Sequence, residues 1–305
     1  MKRTIISILA LSALVGCSKS GDEPGNQGTA SDKTPIVLSA GVPTVSATPR
    51  SRAVIENGKG TVFTAGVAGW ETAGAVDYTA DAWYTTADIT ASMTAQPVAL
   101  AAPQVYHADD NIKTYMKAWY PVGAPAKGKV TFSNPDGTVD ALLAGEVVGS
   151  KNDNTGKVLN FAHKTTQLKF KVVADVSLAA GTTVNKITVL NAELPNGFDL
   201  TDGTATYGQP APLDVPGLTT PVEITATATD AGQPVMIKPM TGNTVSLDIE
   251  TSTATFNGVT AIIDDDTDFK EGKAYTITLT FKQQSLSLTA TVAEWETGTG
   301  SADVE

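Results

Sequence analysis

Two stretches near the end of the chain alternate apolar and polar residues without a break. From Ala274 to Phe281, Tyr275, Ile277, Leu279 and Phe281 share one face, with Thr276, Thr278 and Thr280 on the other. From Ser285 to Trp295, Leu286, Leu288, Ala290 and Val292 oppose Ser285, Ser287, Thr289 and Thr291. Successive side chains of a strand point to opposite faces, so a period of two predicts half-buried antiparallel strands. Lys282-Gln283-Gln284 has the right length for a hairpin loop between them. Weaker versions of the pattern occur upstream. Thr61 to Ala68 carries Val62, Ala65 and Val67 among small residues. Thr165 to Ala174 sets Leu168, Phe170 and Val172 against Gln167, Lys169 and Lys171, and Lys186 to Leu190 offers Ile187 and Val189. Ile36 to Ala47 is extended in character, and Ile112 to Tyr120 is rich in aromatics.

Turn signals separate these runs: Asn57-Gly58, Asn134-Pro135-Asp136-Gly137, Asn196-Gly197, Asp202-Gly203, Thr241-Gly242-Asn243 and Asn257-Gly258. Many short strands at such spacing predict a sandwich or barrel. A composition with 17% charged residues, 27 Gly and 16 Pro fits strands and turns better than long helices. A helix has room only in Ala87–Ala101 or Val139–Gly145, and neither stretch has an amphipathic stripe. At 305 residues the chain suits two β-sandwiches in tandem. The polar run Ser150-Lys151-Asn152-Asp153-Asn154-Thr155-Gly156 marks the join, giving an N-terminal domain over 35–152 and a C-terminal domain over 153–305.

The start of the chain is of another kind. Lys2 and Arg3 precede an uncharged apolar stretch, Thr4 to Gly16, which ends in Leu14-Val15-Gly16-Cys17. A basic start, a short apolar run and a small residue at the cut make a secretory signal peptide. The run is too short for a spanning helix, which takes about 20 apolar residues. Leucine, a small residue and then cysteine resembles the bacterial lipoprotein signal. In that signal residues 1–16 are removed, and the lipidated Cys17 becomes the first residue. Residues 18–34 are polar, with Gly and Pro and no large apolar side chain, and read as a flexible tether. Cys17 is the one cysteine, so no disulfide is expected.

Net charge is −11 at pH 7, and loss of Lys2 and Arg3 makes the mature chain more acidic. Without a basic cluster it is poorly suited to nucleic acid or to anionic lipid. Membrane attachment therefore falls to lipid on Cys17. Asp264-Asp265-Asp266-Thr267-Asp268 is the densest acidic cluster, but an EF-type loop needs glycine at its sixth position, where Phe269 stands. A solvated turn is the expectation. His107 and His163 are far apart in the sequence and lack metal-ligand spacing. No nucleophile elbow, phosphate loop or dinucleotide fingerprint occurs. The sequence thus points to no catalytic residue, cofactor or metal, and to no enzyme.

Several short motifs follow one another in order: Ser51-Arg52-Ala53, Thr61-Val62-Phe63-Thr64-Ala65-Gly66, Ala118-Trp119-Tyr120-Pro121 and Asp140-Ala141-Leu142-Leu143-Ala144. After them come Phe161 through Phe170 with His163 inside, then Gly272-Lys273-Ala274-Tyr275 and Val292 through Gly298 with Trp295 inside. Together with the lipoprotein signal they resemble the Bacteroidetes fimbrillin family, the lipoprotein subunits of type V pili, over about residues 34–300. Many members carry an acidic residue after the Thr-Phe stretch, whereas Gly66-Val67 stands here.

The resemblance implies an all-β fold of two transthyretin-like antiparallel sandwiches and assembly by donor-strand exchange. The precursor reaches the outer membrane as a lipoprotein, and a trypsin-like protease cuts after an arginine near its start. The removed piece includes Ile36–Ala47, and a strand of another subunit fills the vacated groove. Arg52, which precedes alanine, is the favoured cut, with Arg50 second. Partners would be other pilus subunits, in a cell-surface fimbrium that supports adhesion. The donor strand would come from the C-terminus. If Ser285–Trp295 is needed in its own sandwich, the tail 296–305 offers only Ala302 and Val304, and a tip or accessory role gains ground. The alternative is a non-polymerising outer-membrane lipoprotein that binds a glycan or host protein. Trp119 and Trp295, within motifs, are expected in the core. Trp70 and Trp83, in looser segments, are the better candidates for exposure and for stacking on a glycan, although packing is favoured for them too.

Overall fold

In the computed structural model, residues 33–42, 55, 60–175, 178–263, 266–282 and 286–294 are described, and no helix occurs among them. The fold belongs to the unit Lys33–Glu305. Its first half holds β1 (Leu38–Gly41), β2 (Val62–Thr72), β3 (Trp83–Thr90), β4 (Gln96–Val98), β5 (Lys113–Tyr120), β6 (Lys129–Thr131), β7 (Leu142–Ala144), β8 (Val147–Gly149) and β9 (Val158–His163). Strands β3 and β4 thus occupy much of Ala87–Ala101, and β7 lies in Val139–Gly145, where the sequence leaves room for helix. The second half holds β10 (Thr166–Ala174), β11 (Thr183–Ala192), β12 (Pro195–Asp199), β13 (Thr204–Tyr207), β14 (Ala211–Asp214), β15 (Val222–Glu223), β16 (Thr229–Asp230), β17 (Val235–Ile237), β18 (Thr244–Thr251), β19 (Thr255–Ile262), β20 (Lys273–Phe281) and β21 (Leu286–Glu294).

The strict alternation becomes strand pairing where the sequence predicts it. β20 and β21 run antiparallel, from Lys273↔Glu294 to Phe281↔Leu286. Tyr275, Ile277, Leu279 and Phe281 are buried. On its other side β20 pairs in parallel with β10, from Gln167↔Ala274 to Ala174↔Phe281. Parallel neighbours need a long crossover, and the intervening chain supplies it by building most of the opposite sheet. One sheet runs β16-β10-β20-β21, with β17 also on β10. The other runs β14-β11-β18-β19, with β15 also on β11. Leu168, Phe170 and Val172 meet Ile187, Val189, Leu247 and Ile249 in the core between them.

The first half is one eight-stranded sheet in the order β3-β2-β5-β7-β9-β1-β4, with β8 on β5. It curls until its two ends touch through the bridge Ala87↔Leu100. Phe63, Ala65, Val67, Ile89, Met116, Leu142 and Phe161 fill its inside. The opposite face of β2 and β5 is buried as well. Ala68, Trp70 and Trp119 pack with Val130, Phe198 and Leu200. The cover is a three-stranded sheet, β13-β12-β6, in which Phe198 pairs with Val130. A hairpin from the second half thus clasps the first.

The chain crosses between halves later than its polar run suggests. Ser150–Gly156 is a surface turn, closed by Ser150 and Asp153 exchanging backbone hydrogen bonds at 2.9 and 3.1 Å. It joins β8 and β9, two strands of the same sheet, and Leu159 and Phe161 belong to the first core. The crossing itself falls at Lys164-Thr165, between β9 and β10.

Two turn signals also turn out to lie inside strands. Asn57-Gly58 lies outside the described residues, but Asn257-Gly258 sits in β19 beside an irregular register with β18, Gly258 having a φ of 61°. Asn196-Gly197 sits in β12, where a Cβ on Gly197 would lie 2.3 Å from the carbonyl oxygen of Val130. Glycine inside a strand often marks such a close backbone approach. Gly197→Ala must therefore part β12 from β6. The expected cost is about 1–3 kcal/mol, read as a fall of several degrees in the melting temperature; an unchanged melt would contradict the packing.

Candidate functional site

The segment from Pro35 to Val42 is a thoroughly enclosed stretch of backbone, and in sequence it lies just ahead of the run holding Arg50 and Arg52. β1 lies inside the sheet with a neighbour on each side. It is antiparallel to β4 through Leu38↔Val98 and Ala40↔Gln96, and parallel to β9 through Ser39↔Val158 and Gly41↔Asn160. Backbone bonds extend the seam: Ile36 N–H donates to Gln104 C=O, Ser39 to Lys157 and Val42 to Ser92, each at 2.9 Å. Alternation then decides which side chains are buried. Ile36, Leu38, Ala40 and Val42 are 7, 1, 1 and 0% exposed, whereas Val37 is 61% exposed. Full burial of an aliphatic side chain the size of leucine or valine contributes about 1.5–3 kcal/mol. A Cβ on Gly41 would come within 2.9 Å of Ser92 O, so glycine lets the strand pass that carbonyl.

Cys17, Arg50 and Arg52 lie outside the described residues, as do Pro43–Ala47, Asp264, Asp265, Gln283, Gln284, Ser285, Trp295 and the tail 296–305. The other strand of interest, β21, is an edge strand of its sheet. Leu286 and Leu288 pack on the second core, and Ala290 is buried within it.

The remaining sequence candidates serve the walls. His163 ends β9 and Asp140 precedes β7; both are buried, with Nδ1 of His163 2.8 Å from a carboxylate oxygen of Asp140. The second carboxylate oxygen accepts from Ala141 N–H at 2.8 Å and from the Thr165 hydroxyl at 3.3 Å. This buried pair ties β7 to the crossing segment between the two halves. His107 is elsewhere, its Nδ1 accepting Asp109 N–H at 3.0 Å in an exposed turn. Asp266 bonds Lys270 and the Tyr275 hydroxyl, while Asp268 accepts Gly242 N–H at 2.8 Å. These bonds pull both carboxyls below their ordinary range, the Lys270 contact leading for Asp266 and the Gly242 contact for Asp268. Those two acidic residues hold a turn together. No group of three or more metal-ligating side chains occurs among the described residues.

Trp119 is fully buried, its indole N–H donating to Gly123 C=O at 3.0 Å. Trp70 is buried too, and Trp83 lies across Gly69, whose Cβ would come within 2.2 Å of its ring. Lys117 carries no signal in the sequence. It sits on the outward face of β5 under the clasping hairpin, where its ammonium donates to Leu200 C=O and rests 3.8 Å above the Tyr78 ring. Burial pushes its pKa below the usual lysine range, against the opposing pull of Asp202 and Asp199.

An all-β protein in two clasped halves, the first shut by its own first strand, is the class that fold and site together define. The chain belongs to the fimbrillin-like family, whose model matches residues 50–295. Members of that family are structural, non-enzymatic proteins of cell-surface fimbriae. Among solved structures, a candidate cell adhesion protein from Bacteroides uniformis ATCC 8492 is similar at 19% identity and a TM-score of 0.53, over 86% of this chain and 99% of that one. Another candidate cell adhesion protein, from Bacteroides ovatus ATCC 8483, is similar at 16% identity and a TM-score of 0.53, over 87% and 99%. These likenesses are of fold. No curated protein matches the chain.

The two faces of β1 give a direct check. Leu38→Ala should cost about 2–5 kcal/mol in urea unfolding, whereas Val37→Ala should stay within about 0.5 kcal/mol. Equal effects would mean that β1 is not seated as described.

Proposed function

We propose that the chain is a fimbrial subunit exported as a lipoprotein on Cys17, held at the outer membrane by that lipid, cut after Arg52 with Arg50 as the second choice, and polymerised by donor-strand exchange. The observation that carries this reading is the seat of β1 between β4 and β9. Both arginines follow that strand closely in sequence. A cut after either would separate β1 from the rest of the chain. Loss of β1 would leave two unpaired strand edges facing one slot, lined by the pocket that Ile36, Leu38, Ala40 and Val42 had filled. Unpaired edges readily accept another strand, and alternate side chains set which one fits. A head-to-tail contact that does not close then builds a filament.

The slot describes its guest as an alternating run of a large aliphatic residue, leucine, alanine and valine. Leu286, Leu288, Ala290 and Val292 follow that order, which makes a second copy of this chain a chemically adequate donor. An edge strand has one paired neighbour, and the slot offers two. One observation favours a second reading, a tip or accessory subunit that accepts a strand and donates none: β21 is paired along its length within its own sheet.

Edman sequencing of the protein extracted from the cell surface should return Ala53 as the first residue. Material that still begins at the lipidated Cys17 would defeat the strand-exchange reading. On unheated gels after trypsin, a ladder assigns the chain to the stalk and a cleaved monomer to a polymer end.

A further inference from the structure

The bond proposed for cutting, between Arg52 and Ala53, lies outside the described residues, but a buried anchor stands on each side of it. On the N-terminal side the anchor is Val42, fully buried, whose N–H donates to Ser92 C=O at 2.9 Å. On the other side it is Ile55, 3% exposed and packed in the same core. Hydrolysis of the bond takes up one water and leaves a carboxylate on Arg52 and an amine on Ala53. No contact of β1 is broken by it.

The contacts that remain are many for so short a strand. The seam begins at Thr34, whose carbonyl accepts Tyr106 N–H at 2.9 Å, and runs to Val42. A peptide that adds itself to a sheet ordinarily pairs with one edge. β1 pairs with β4 and β9 at once, and Ile36, Leu38, Ala40 and Val42 sit in the first core with Phe63, Ile89 and Phe161. Its departure would break the whole seam together, and the strength of such a contact shows chiefly in how slowly it parts. An empty seat would also expose two strand edges beside an apolar pocket, a template for aggregation.

We infer that the cut does not open the slot: β1 stays seated as a separate piece, and only an incoming strand that takes its place removes it. This rests on the cleavage and the lipid anchor proposed above. β1 and Cys17 belong to the same cut piece. The body therefore stays on the outer membrane through β1 until its slot has a new occupant. Leaving the membrane and joining a neighbour become one event, and no subunit is set free with an empty slot.

The test uses the full-length chain in a nonionic detergent, cut to completion with an arginine-specific endoproteinase. After Cys17 the sequence offers that enzyme only Arg50 and Arg52. The two large pieces, separate on a denaturing gel, should elute together from a size-exclusion column. A labelled peptide of residues 34–42, added in excess, then reads the rate at which β1 gives up its seat. Leu38→Ala should raise that rate by about thirtyfold or more, from the packing lost when a buried leucine becomes alanine. Val37→Ala, on the outward face, should change it by no more than about twofold. Joint elution with a rate that Leu38→Ala leaves unchanged would overturn the inference, because the pieces would then be held elsewhere. Pieces that part on the column overturn it too, and the peptide then separates two cases. A freed body that binds the peptide keeps the strand-exchange reading, and one that does not bind it loses both.

Discussion

The first half of the molecule is held shut by a single short strand. β1 is the sole neighbour of β4 in the ladder and the outer neighbour of β9. The curled sheet closes through Leu100, just beyond β4. Without β1, β4 loses its ladder, the closing bridge loses its support, and β9 becomes an edge. Ile36, Leu38, Ala40 and Val42 add an apolar side to the same seam. Hydrogen bonding and burial thus coincide in a strand that the sequence also sets just ahead of two arginines. A segment so placed is strongly bound while the chain is whole, and its loss opens a single continuous slot.

The second constraint is the clasp. β2 and β5 are covered on both faces, inward by the first core and outward by the hairpin β12–β13 with β6. Gly66 makes room for the outward layer, since a Cβ there would lie 2.7 Å from the Trp119 ring nitrogen, and Gly69 does the same on the inward face, where a Cβ would lie 2.2 Å from the Trp83 ring. The buried pair of Asp140 and His163 anchors the crossing segment beside this layer, and Lys164 pairs with Glu271 at 2.7 Å just beyond it. Strand exchange at the β1 slot would therefore take place on a body stiffened from its other side.

What the sequence disclosed follows the same division. Tyr275, Ile277, Leu279 and Phe281 were legible because β20 is buried on one face, so its pattern is pure. β2 was only partly legible. Val67 and Ala68 are both buried, on opposite faces, and nothing near them in the chain announces the hairpin that covers the second face. Alternation also says nothing of a partner's direction, which hid the parallel pairing of β10 with β20. Polar residues at Ser150–Gly156 mark a surface turn as readily as a domain boundary. Ile36–Ala47 was legible as extended, but its seat was not, because β4 and β9 come from distant stretches.

The central claim is that β1 alone holds the slot closed, and hydrogen exchange tests it most directly. The whole chain and the chain cut after Arg52 are compared once the released segment has been removed. Amides of β4 and of β9 should lose protection on the side that faced β1, while those of β20 and β21 keep theirs. Unchanged protection of β9 in the cut chain would contradict the account.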